Sequence, residues 1–180
     1  MENSAKEAMM KKMIVVLVLA ILVGGAAFAQ IPVNMDKGDV AVAVGFNFGW
    51  DYGIGGSVEY VFARVDLADS VPITFGVAAR GGLGFIYGTN FTLVGLATAH
   101  FELGFIADLP YWLKKFDFYY GLGLGFGFDP AFNIGIGNGG GISYFFNPNI
   151  AIYSSVIYAR FFNVNAGGSG FGSIGLIFKF

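Results

Sequence analysis

His100 is the only histidine in the chain, so any imidazole chemistry near neutral pH rests on it. Glu102 follows two residues later and shares its face if the segment is extended. One imidazole and one carboxylate are too few to hold a metal, which takes three or four protein ligands. Acyl transfer or hydrolysis needs a nucleophile, a base and an oxyanion site together. Ser143, Ser154, Ser155 and Ser173 are the nearest nucleophile candidates, and no spacing sets one of them beside His100. Glu59, Arg80, Asp117 and Lys179 interrupt stretches that are mostly apolar or glycine. Charges so placed call for partners rather than for solvent. With His100 and Glu102 they form a candidate polar cluster. The expectation is a structural cluster, with no catalytic residue, no metal and no cofactor.

Two other readings fall away. Gly135-Ile136-Gly137-Asn138-Gly139-Gly140 has the spacing of a dinucleotide-binding turn, but no helical pattern follows it, and 29 glycines make a chance match easy. Ten Lys and Arg with a net charge of −2 offer no basic surface for nucleic acid. The chain has no cysteine, which excludes disulfides, thiolate metal sites and lipid attachment through an N-terminal cysteine.

The elements that carry these residues are of a membrane type. Residues are 56% hydrophobic and 12% charged, with 29 Gly and 21 Phe among 180. Glycine lowers helix propensity by roughly 1 kcal/mol relative to alanine, whereas alternating glycine and aromatic residues suit a pleated strand with one slim and one bulky face.

The N-terminus reads as an address. Lys11 and Lys12 precede the apolar run Met13 to Val23, and Ala27-Phe28-Ala29 follows it. This is the order of a helical secretory signal peptide, residues 1–29, cleaved after Ala29 with Ala27 at the other small position. Glu2 and Glu7 are unusual in such a leader, and Met10 is the alternative start. Residues 30–38 are then a short N-terminal segment of the mature chain.

Beyond it the period is two. Val40, Val42, Val44, Phe46, Phe48 and Trp50 alternate with Ala41, Ala43, Gly45, Asn47 and Gly49. Phe116, Phe118, Tyr120, Leu122, Leu124, Phe126 and Phe128 alternate with Asp117, Tyr119 and glycines. No helix face collects residues in this way. The same pattern predicts strands near 39–50, 54–64, 73–87, 91–105, 116–128, 132–146, 150–162 and 169–180. A bulge is expected at 138–141, and the strand at 150–162 has two competing apolar faces. Pro72, Pro110, Pro130 and Pro148 fall between the predicted strands, where no ladder donor is missed.

In hydrocarbon, strands satisfy their backbone only by closing a sheet. The expected fold is therefore all-β, an eight-stranded antiparallel up-and-down transmembrane β-barrel over residues 39–180. Bulky faces point to lipid and polar ones inward. Trp50, Phe85, Tyr87, Phe91, Phe128 and Phe132 mark one rim, and Tyr60, Phe105, Trp112, Phe116, Phe178 and Phe180 the other. Inward positions are Asn47, Glu59, Thr74, Arg80, Thr98, His100, Glu102, Asp117, Tyr119 and Lys179. Arg80 turned to lipid would cost about 2–4 kcal/mol at the midplane.

Ile174, Leu176, Phe178 and Phe180 alternate up to an aromatic last residue. With the signal peptide and the eight segments, this ending resembles the small eight-stranded bacterial outer-membrane barrels of the OmpA-, OmpX- and OmpW-like kind. The resemblance implies an outer-membrane location, contact with outer-membrane lipids, and recognition of that last strand by the barrel assembly machinery. It implies a periplasmic position for both ends of the barrel. Those barrels have long external loops; here the longer connections, 65–72 and 106–115, fall on the periplasmic side.

The function expected is structural, a contribution to envelope integrity by a monomer whose lumen is plugged with polar side chains. A barrel that binds or passes a small apolar or amphipathic solute is the alternative, suggested by the Gly- and Ala-lined external half. A lipid-modifying enzyme is the distant one.

Overall fold

The computed structural model describes residues 34–49, 52–67, 71–85, 90–128, 131–163 and 167–180. The signal peptide with Ala27 and Ala29, and Trp50, Tyr87 and Pro130, lie outside them. The described residues form eight strands: β1 Val40–Gly49, β2 Gly53–Leu67, β3 Val71–Gly84, β4 Asn90–Glu102, β5 Phe116–Phe128, β6 Phe132–Asn147, β7 Ile150–Phe161 and β8 Gly168–Lys179. Each pairs antiparallel with the next, and β8 returns to β1, so the sheet is closed. The expected up-and-down barrel is the fold of the chain.

Closure is made at the last residues. Ala41 to Gly49 pair with Lys179 to Phe171, and Val40 and Phe180 exchange backbone hydrogen bonds of 2.8 and 3.1 Å. No sheet edge is left open, which is what backbone groups in hydrocarbon require. Asn34 and Phe180 lie at one end, called here the near end; the opposite end is the far end.

Alternation decides the facing of every strand. On β5, Leu122 and Leu124 are half-exposed outward, while Asp117, Tyr119, Gly121, Gly125 and Gly127 are buried inward. Phe46, Val58, Val77, Ile136, Val156 and Ile174 continue the outer apolar belt. Aromatic side chains gather at its rims. Phe91, Phe128 and Phe132 touch at the far end, with ring centroids 6.3 and 5.0 Å apart. Trp112, Phe116, Tyr144 and Phe146 form a chain of contacts at the near end.

Several boundaries differ from the sequence expectation. β2 and β3 run on to Leu67 and back from Val71, so the hairpin absorbs most of the connection expected at 65–72. Pro72 thus lies within β3, opposite Asp66. Pairing with β4 begins only at Ile73, so the missing N–H disturbs no ladder there. The long near-end connection is 103–115, ending in a single 3-10 turn, Leu113–Lys115. There is no bulge at 138–141: Asn138 to Gly141 pair without interruption to Tyr158 through Ser155. The irregularities fall instead between Val61 and Ala63 and between Phe145 and Asn147, both toward the near end.

β7 resolves its two apolar faces. Tyr153, Ser155, Ile157, Ala159 and Phe161 point inward; Ile152, Ser154, Val156, Tyr158 and Arg160 point outward. The glycine-rich inner faces of β5 and β6 leave room that only bulky groups from elsewhere in the ring fill. A Cβ at Gly127 would collide with the Phe161 ring.

Candidate functional site

The lumen is built in layers. At its centre stand Glu59 of β2, Arg80 of β3, His100 of β4 and Asp117 of β5, each at most 6% exposed. Arg80 Nη2 donates to Glu59 Oε2 at 2.7 Å. His100 Nε2 lies 2.8 Å from Glu59 Oε1, and Nδ1 lies 3.0 Å from Asp117 Oδ2. Thr98 Oγ1 donates to Glu59 Oε1. The Arg80 guanidinium stacks 4.0 Å from the centroid of the Tyr119 ring.

These pairs are not the direct cross-strand partners. Glu59 lies opposite Ala78, Arg80 opposite Ser57, His100 opposite Tyr119, and Asp117 opposite Glu102. The contacts run diagonally, within the reach of long side chains. Glu59 also spans β3 to meet His100. Gly76 makes that possible, because a Cβ there would stand 3.2 Å from Glu59 Oε1 and 2.8 Å from Thr98 Oγ1.

Each ring nitrogen of His100 faces a carboxylate oxygen. With both carboxylates ionised, imidazole satisfies them as a double donor, the cationic form. The quartet then carries two positive and two negative charges and is internally neutral. That is the condition for holding ions in a low-dielectric interior.

A second layer closes the near end. The Asn34 N–H donates to both oxygens of Glu102 at 2.8 Å, and the Met35 N–H to Oε1 at 2.9 Å. Lys179 Nζ donates to the Asn34 carbonyl at 2.8 Å and to Asp39 Oδ2 at 2.7 Å. Asn34 and Met35 are 1% and 2% exposed. The stretch before β1 is therefore folded into the barrel mouth, beside Phe145 and Val61, which are fully buried.

Among the described residues the far half holds an apolar cluster. Val94, Leu96, Ile157, Ala159 and Phe161 cluster there, with Phe171 packed against them. Small polar pairs flank this cluster: Ser173 Oγ donates to Asn47 Oδ1 at 2.7 Å, and the Thr92 and Ser169 hydroxyls are 2.6 Å apart. Side chains of β4, β7 and β8 thus project into the half whose lining the sequence reads as largely Gly and Ala. Two internal spaces lined by described residues, one beside His100 and one beside Ser173, each leave about 10 Å³ to a water-sized sphere. That is about the room of a single water.

Of the six cluster residues read from the sequence, Glu59, Arg80, His100 and Asp117 meet. Glu102 and Lys179 belong to the layer below and meet through Asn34. His100 and Glu102 share a face, as expected, but bind different partners. Thr74 is buried, with no hydrogen-bond partner for its hydroxyl among the described residues. Among the described residues no group of three or more His, Asp and Glu is arranged to hold a metal. Sequence periodicity misses Asn34 and Met35, because no period marks a segment that precedes the first strand. It also leaves the facing of Phe161 open and passes over Phe171 as a lumen residue; the glycine faces beside them were the available signal.

No protein-family model matches the chain, and no curated protein matches it in sequence. Solved structures do match in fold. The N-terminal β-barrel domain of OprF from Pseudomonas aeruginosa superimposes with a TM-score of 0.56 at 17% identity, covering 80% of this chain and 98% of that domain. Ail, the attachment invasion locus protein of Yersinia pestis, matches with a TM-score of 0.51 at 15% identity, over 81% of this chain and all of that one. At such identities the likeness establishes the fold, that of the small outer-membrane β-barrels.

Proposed function

We propose that this chain is a closed structural barrel of the bacterial outer membrane, contributing to envelope integrity through its seat in the lipid and not through a pore. The apolar belt with an aromatic rim at each end supports the membrane location. The near end, which carries Asn34 and Phe180, faces the periplasm in this reading. Partners are outer-membrane lipids, and the assembly machinery that reads Ile174, Leu176, Phe178 and Phe180 during biogenesis.

The observation that carries the closed reading is the filled interior: a neutral charged quartet, a folded-in segment below it and an apolar cluster above it. Eight strands enclose only the width that side chains fill. In this reading the barrel is not an enzyme. Ser143 lines the same small space as His100, but Glu59 and Asp117 already engage both ring nitrogens, so neither is free to accept the serine proton. Purified, heat-modifiable protein in planar bilayers should give no unitary current above the lipid baseline. Reproducible channel steps from the unaltered chain would refute the closed reading.

A further inference from the structure

Asn138 stands on the outside of the barrel. From Asn133 to Phe145 the odd residues of β6 face inward, and Asn138 lies outward between Leu122 of β5 and Tyr158 of β7. Leu122 is the midpoint of β5, so the amide sits at mid-depth in the apolar belt. Among the described residues its side chain has no hydrogen-bond partner. Acyl chains offer none either, and lipid headgroups lie at the rims, away from this depth. The outward mid-strand residues of the opposite wall are Val58, Val77, Ala79, Gly95 and Ala97, with no amide or charge among them.

We infer that a second copy of this chain docks on the β5–β7 face, with the two Asn138 amides exchanging hydrogen bonds across a two-fold axis along the membrane normal. Three features select this occupant. A carboxamide carries a donor and an acceptor, so it complements itself. A two-fold interface presents the same patch on both partners. Two copies inserted in the same direction hold Asn138 at the same depth, which an unrelated partner would have to match by a separate adaptation.

The chain has no cysteine, so single-cysteine reporters are clean. Ile136→Cys places a thiol on the proposed face, and Ala79→Cys places one on the opposite wall. In phospholipid vesicles, a short bis-maleimide should couple Ile136→Cys into dimers and leave Ala79→Cys monomeric. Adding Asn138→Leu, or Asn138→Ala, to the Ile136→Cys chain should weaken association about tenfold, the scale of two membrane-buried hydrogen bonds. Asn138→Gln should retain most of it. Heat-modifiable migration checks that each variant is folded, independently of its association. Equal coupling from both reporters, no coupling from folded Ile136→Cys, or coupling unchanged by both Asn138 variants would overturn the inference.

Discussion

Removing Arg80 should destabilise the barrel through charge imbalance more than through lost volume, and the effect should be reversible by a second change. Arg80 and Glu59 have side chains 7% and 4% exposed and meet at 2.7 Å. Breaking such a pair from one side costs about 3–5 kcal/mol, because the remaining ion is buried without compensation. With His100 cationic the quartet is neutral. Arg80→Met takes it to −1, Glu59→Gln takes it to +1, and the double variant returns it to zero around the surviving His100–Asp117 pair. The amide introduced by Glu59→Gln would keep an acceptor for Thr98, and the thioether introduced by Arg80→Met would keep contact with the Tyr119 ring. Each single change should therefore cost about 3 kcal/mol, and the double variant should fall short of their sum by about 2 kcal/mol or more. Urea unfolding in lipid vesicles, followed by Trp fluorescence and by heat-modifiable migration, would measure the cycle. A double variant as damaged as the sum of the singles, within about 0.5 kcal/mol, would refute the charge-balance reasoning.

Other consequences follow from the two flanking layers. Glu102→Ala should release Asn34 and Met35 from the barrel mouth, with a loss of about 2–3 kcal/mol for charge-assisted hydrogen bonds; hydrogen exchange at Met35 should accelerate while the β4–β5 ladder stays protected. Phe161→Ala should cost about 3–5 kcal/mol by opening a hole among Val94, Leu96 and Ile157, read by urea midpoint. Gly127→Val should cost about 1–3 kcal/mol by overpacking against the same ring, and combining it with Phe161→Ala should recover part of both losses. N-terminal sequencing of mature protein from the envelope should begin at Gln30; a chain still carrying Met13 to Val23 would contradict the cleavage site.

The period-two pattern by itself determined the strand count, the antiparallel hairpin order and the inward facing of Glu59, Arg80, His100 and Asp117. These are local properties: alternation is a one-dimensional signal, and a single polar residue in the wrong phase would expose itself to lipid. Where the local signal was balanced, the sequence was silent. β7 offers apolar groups on both faces, and only the glycine inner faces of the neighbouring β5 and β6 leave room for Ile157 and Phe161 on the inside. The same holds for the bulges, which fall near Phe62 and Phe146 rather than at the glycines of 138–141, since glycine permits irregularity without requiring it.

Tertiary structure also decided which charges meet. His100 and Glu102 are neighbours on one face, about 7 Å apart along the strand, yet each is held by partners other than its neighbour. Their partners come from other strands through the stagger of the closed sheet. His100 therefore reaches Glu59 across the gap left by Gly76, and Glu102 reaches Asn34 and Met35 from a segment with no pattern of its own. Alternation tells each residue whether it faces lipid or lumen; the register between neighbouring strands settles whom it finds there.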